Sequence, residues 1–151
     1  MKRTGRGCTL LLGGILLALS GVAEAQWVML ARHVVGRVEQ MSQTSPNGAS
    51  YDVASVIVDV APEKVFDTVK RRLAASTEAR VTRTDDARRS IEFTDGSQIG
   101  GIQVTTLGDG LSQLLVSTAH PGVRTSTTAT IVERILAVCR DLGVSCQQPQ
   151  P

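Results

Sequence analysis

Apolar residues recur along this chain in two rhythms, one of period two and one of period 3.6. Ser50 to Val60 (SYDVASVIVDV) is rich in β-branched residues and reads as a strand. It follows a strong turn signal, Thr44-Ser45-Pro46-Asn47-Gly48, so His33 to Met41 (HVVGRVEQM) before that turn reads as the partner strand of a hairpin, placed over residues 33–42. Helical spacing of Trp27, Leu30, Ala31, Val34, Val38 and Met41 keeps a helix open for the same stretch, with residues 26–31 a helical or irregular lead-in. Pro62 then opens a helix expected over 62–75: proline suits the first helical position, Glu63 the positive end of the dipole and Lys70-Arg71-Arg72 the negative end. Its stripe is Val65, Phe66, Val69 and Leu73.

Four strands follow: Ala79 to Thr84, Ser90 to Thr94, Gln98 to Leu107 and Leu111 to Ala119. They are separated by Asp85-Asp86-Ala87, by the hairpin signal Asp95-Gly96 and by Gly108-Asp109-Gly110. Within the third, Ile102, Val104 and Thr106 share a face, and Gly100-Gly101 suggests a bulge or bend. After a loop around Pro121-Gly122 comes a helix from near Thr127, with a capping-box pattern at Thr130 and Glu133 that lies late for it, a stripe of Ile131, Ile135, Val138 and Leu142, and a stop at Gly143. The order ββαββββα predicts an α+β fold: a single antiparallel sheet with both helices packed on one face.

The first 25 residues change how the rest is read. Lys2, Arg3 and Arg6, the apolar run Leu10 to Leu19, and Ala23-Glu24-Ala25 make the three parts of a secretory signal, with cleavage expected between Ala25 and Gln26. The apolar run is short for a membrane span of about 20 residues, and Cys8 precedes it, the wrong side for lipid attachment. The expected organisation is a signal at 1–25, one domain at 26–146 and a disordered tail at 147–151, in a periplasmic protein, or a secreted one if the cell has a single membrane. The full chain has 16 basic and 14 acidic residues. The signal takes three basic residues and one acidic, leaving 13 of each in a neutral domain with no electrostatic footprint for nucleic acid.

Removing the signal also removes Cys8 and leaves Cys139 and Cys146. In an oxidising compartment such a pair points to a disulfide, made feasible by a chain reversal at Gly143; two free thiols are the alternative. The C-x6-C spacing is neither a redox motif nor a haem attachment site.

Candidate chemistry is sparse. His33 and His120 are far apart in sequence, and with the cysteines paired the ligands for a metal site are too few, so no metal and no cofactor are expected. No nucleophile elbow, metalloprotease motif or phosphate loop occurs. Asp85-Asp86 reads as a turn beside Arg88-Arg89, and Ser112 and Ser117 lack a matching histidine and acid. No catalytic residue is assigned; an enzyme would need a site assembled across the fold.

The stretch V-I-V-D-V-A-P-E-K-V-F at 56–66, the hairpin L-G-D-G-L-S-Q-L-L-V at 107–116 and the terminal helix resemble an arrangement in small bacterial exported envelope proteins of unknown function. The layout is similar to the helix-grip modules of outer-membrane assembly lipoproteins. Two features depart from that pattern: no lipid-attachment cysteine follows the signal, and a cysteine pair marks the tail. Export, a compact α+β pattern and the lack of a catalytic motif point to a non-catalytic binding or accessory module that contacts an envelope protein or component. The resemblance also leaves open a carrier of a small apolar ligand in a helix-grip groove, and carries over no catalytic residue.

Overall fold

The structure, a computed structural model, describes residues 35–44, 50–108, 110–120 and 127–148. Six strands form one sheet: β1 (Val38–Thr44), β2 (Ser50–Val58), β3 (Arg80–Asp85), β4 (Ser90–Thr94), β5 (Ile99–Gly108) and β6 (Leu111–His120). Helix α1 (Pro62–Ala74) joins β2 to β3, and α2 (Thr128–Leu142) follows β6. The strand order is β1-β2-β6-β5-β4-β3, and each neighbouring pair is antiparallel. The α+β order and the single antiparallel sheet are as the residue pattern predicts.

Alternation along β2 and β6 decides which face is covered. Ala54, Val56 and Val58 of β2 and Leu114 and Val116 of β6 are buried on one face, while their neighbours are half-exposed on the other. Both helices lie on the buried face: α1 against β3, β5 and β6, and α2 against β1, β2 and β6, with the helices touching each other. Val65, Phe66 and Val69 of α1 and Ile131, Ile135 and Val138 of α2 complete the core. The uncovered face carries the exposed apolar side chains Met41, Tyr51 and Ile99 among polar ones.

The element ends follow local chemistry. Pro62 begins α1, Glu63 lies in its first turn and Arg71 and Arg72 in its last. Val60, placed in the strand by its sequence, lies past the end of β2; its carbonyl accepts the Ser112 hydroxyl as the chain bends toward α1. Helix α2 ends at Gly143, whose N–H reaches the Arg140 carbonyl.

Two further expectations are corrected. The first strand begins at Val38, not at residue 33: Gly36 has φ +77°, which no strand continues through, and its N–H donates to the Ile57 carbonyl at 2.7 Å. Residues 26–34 lie outside the described residues. Gly100-Gly101 is neither a bulge nor a bend; the register runs unbroken past it, and the irregularities fall at Val81/Arg83 and Thr106/Gly108. The pair makes room instead, since a β-carbon at Gly100 would overlap the ring of Phe93, its cross-strand partner. Thr130 is the third residue of α2, in keeping with its late place in the sequence pattern.

Cys139 and Cys146 are joined by a disulfide, with Cα atoms 6.1 Å apart. It draws the chain after α2 back over the start of β1. There the Gln147 N–H donates to the Gly36 carbonyl at 2.7 Å, and Val38 N–H donates to the Gln147 carbonyl at 3.2 Å. Gln147, assigned by sequence to the tail, is thus bonded on both sides.

Candidate functional site

The helix-covered face is not filled throughout. A cavity of about 560 Å³ opens between α2, the C-terminal half of α1 and the sheet. That is room for about nineteen waters at ~30 Å³ each, far more than the voids of an ordinary close-packed interior. Its floor is Phe93, Ile102, Leu114 and Val116 from β4, β5 and β6. One wall is Ile131, Ile135 and Val138 of α2, and the other Val69 and Leu73 of α1. Phe93 reaches the floor because Gly100 leaves space for its ring.

Polarity is graded across the cavity. The buried lining is apolar except for Thr118. The exposed lining is polar or small: Ala75 and Glu78 in the connection from α1 to β3, Asp95 in the β4–β5 turn, and Thr130 and Arg134 on α2. These residues mark the open side. Two ion pairs tie the helical layer together there. Arg134 of α2 bonds Glu78, and Arg72 of α1 holds Asp141 of α2 through two bonds of 2.5 and 2.8 Å. Asp95 is occupied as well. Its carboxylate accepts from the Gln98 amide at 2.7 Å, from the N–H groups of Ser97 and Gln98 and from the Ser97 hydroxyl, and this holds it below the usual carboxylate range. Gln98 Oε1, on the same end of the lining, is shielded from solvent and has no donor.

Behind the polar end lies a buried carboxylate. Asp52 is 2% exposed and in register with Ser42 on one side and Thr118 on the other. Burial alone would push its carboxyl up. Hydrogen bonds from the Ser42 hydroxyl, the Thr127 N–H and the hydroxyls of Thr127 and Thr128 outweigh this and hold it at about 2. The Ser42 hydroxyl and the Thr127 N–H each lie 2.6 Å from it, and the Thr127 hydroxyl 2.9 Å. Asp52 therefore does for α2 what a local capping residue does elsewhere, placing an anion at the positive end of the helix. Sequence reasoning passed over Asp52. Its signal is a charge in phase with Ala54, Val56 and Val58 on the inward side of a strand.

The sequence-derived candidates do not converge. Ala25, Gln26, Trp27 and His33 lie outside the described residues, and His120 closes β6. Ser112 is buried and Ser117 is on the opposite sheet face, bonded to the Gly101 carbonyl at 3.4 Å. Asp86 pairs with Lys70 at 3.0 Å, and Asp85 accepts the Arg88 N–H at 3.0 Å, as turn residues do. Among the described residues no three or more His, Cys, Asp or Glu side chains gather to hold a metal.

No protein-family model matches the chain, and no curated sequence aligns with it significantly. Similar solved structures exist at low identity. CalU16 from Micromonospora echinospora is 15% identical, with a TM-score of 0.47, over 70% of this chain and 83% of that one. EF2215 from Enterococcus faecalis, a conserved protein of unknown function, is 10% identical, with a TM-score of 0.48, over 79% of this chain and 80% of that one. The Zhui aromatase/cyclase from Streptomyces sp. R1128 is 12% identical, with a TM-score of 0.37, over 70% and 87%. At these scores the likeness carries nothing about function, and the site is read from its own residues.

Proposed function

We propose that this chain is an exported, non-catalytic binding module that holds a small, largely apolar ligand between α2 and the sheet. The observation that carries the reading is the cavity of about 560 Å³, apolar inside and polar at its open side. Its size falls within the range of about 300 to 1,000 Å³ typical of small-molecule sites. Such sites combine an apolar lining with a few placed polar groups, which here are Thr118, Gln98 and the charged rim. The three-part pattern of residues 1–25 and the disulfide both support the export part of this reading.

The uncharged fluorescent probe N-phenyl-1-naphthylamine tests the reading. One probe should bind per chain with enhanced emission, and Ala79→Trp, at the half-buried edge of the cavity, should abolish uptake while leaving the circular dichroism unchanged. Uptake undiminished in that variant would place binding elsewhere and refute the proposal.

A further inference from the structure

Granting that the cavity is a ligand site, we infer that its ligand is an uncharged amphiphile, with its apolar part packed inside and a hydroxyl donating to Thr118. The direction of the hydrogen bonds behind the cavity leads there. Asp52 is ionised and can only accept, so the Thr127 hydroxyl, 2.9 Å away, spends its proton on it. Thr118 Oγ1 lies 3.0 Å from Thr127 Oγ1, whose proton is already committed, so Thr118 donates and Thr127 accepts. Thr118 is left with lone pairs and no free proton, as an acceptor on the cavity lining. That acceptor calls for a donor from the ligand, which an ionised carboxylate cannot supply.

The rim argues against charge, most strongly against an anion. Among the described lining residues both cations are paired, Arg134 with Glu78 and Arg72 with Asp141, while the carboxylate of Asp95 is already hydrogen-bonded by Ser97 and Gln98. An anionic head group would give up its hydration and find no unpaired cation, and a cationic one would find only the hydrogen-bonded Asp95 at the exposed rim. Glu78 is thus a specificity-determining residue: by occupying Arg134 it withholds the one cation that α2 presents at the open side.

Four ten-carbon probes separate the possibilities by displacement of N-phenyl-1-naphthylamine: 1-decanol, its isomer nonyl methyl ether, decanoate and decylammonium, each below its micelle concentration. Decanol should bind about tenfold more tightly than the ether, which lacks the donor, and about tenfold more tightly than either ion. Thr118→Val should bring decanol within about twofold of the ether. Glu78→Gln, at an exposed position, should free Arg134 and improve decanoate binding about tenfold. The inference is overturned if decanoate or decylammonium matches decanol in the wild type. It is equally overturned if Thr118→Val keeps the advantage of decanol, or if Glu78→Gln leaves decanoate unchanged. In each of those cases probe uptake still supports the cavity as a binding site. If neither the fluorescent probe nor any of the four compounds binds, by fluorescence or by calorimetry, the cavity reading itself falls.

Discussion

Asp52 is where one substitution should test the largest part of this account. Its carboxylate joins three strands to the start of α2, through Ser42 on β1, its own place on β2, Thr118 of β6 through Thr127, and the Thr127 N–H. Asp52→Ala leaves that N–H and the hydroxyls of Ser42, Thr127 and Thr128 without their acceptor. The expected loss is about 2 to 3 kcal/mol, the upper part of the range for losing hydrogen bonds to a charged group. Asp52→Asn keeps the shape and removes the charge, so its cost can be worked from the titration. The carboxyl sits at about 2 in the fold against an ordinary 3.8. Because the folded value is the lower one, its contribution is complete above about pH 4 and is lost as the pH falls toward 2. The difference amounts to about 2 kcal/mol, which Asp52→Asn should forfeit at neutral pH. Urea unfolding of wild type and both variants from pH 7 to pH 2 measures this. The wild-type and Asn curves should converge below pH 4, since other acids titrate alike in both. Parallel curves across that window, or an Asn variant as stable as wild type at pH 7, would refute the charged network.

Two other predictions address the tail and the cavity floor. Exported protein should begin at Gln26 and weigh two hydrogens less than its reduced form; Cys146→Ser should cost about 2 to 3 kcal/mol and speed amide exchange at Gln147 and Val38, whereas a loss below about 1 kcal/mol would show the bridge to be idle. Gly100→Val should cost about 2 to 3 kcal/mol by displacing the Phe93 ring, and Phe93→Ala in the same chain should recover part of that loss; strict additivity in a double-mutant cycle would show that the two residues do not share the space.

Much of this fold is written in local pattern. Alternation in SYDVASVIVDV, proline at the head of α1, the Asp95-Gly96 turn and Gly143 at the end of α2 each act within a few residues, so element types and order follow from the chain alone. Boundaries depend on partners. β1 begins at Val38 because Gly36 turns to meet Ile57 and Ser145 of distant segments, which no local spacing records. The site is a tertiary product to a greater degree. Thr118, Glu78 and Arg134 are ordinary polar residues in sequence, and Asp52 is one acid in a strand. Only the pairing of β2 with β6 and the laying of α2 across them bring Asp52 to Thr127 and Thr118. Only the spacing between two helices and the sheet leaves the cavity. Local chemistry selects elements because backbone preferences act over a turn or a strand. A hydrogen bond spanning 75 residues, like that from Thr127 to Asp52, exists only once the layers have packed.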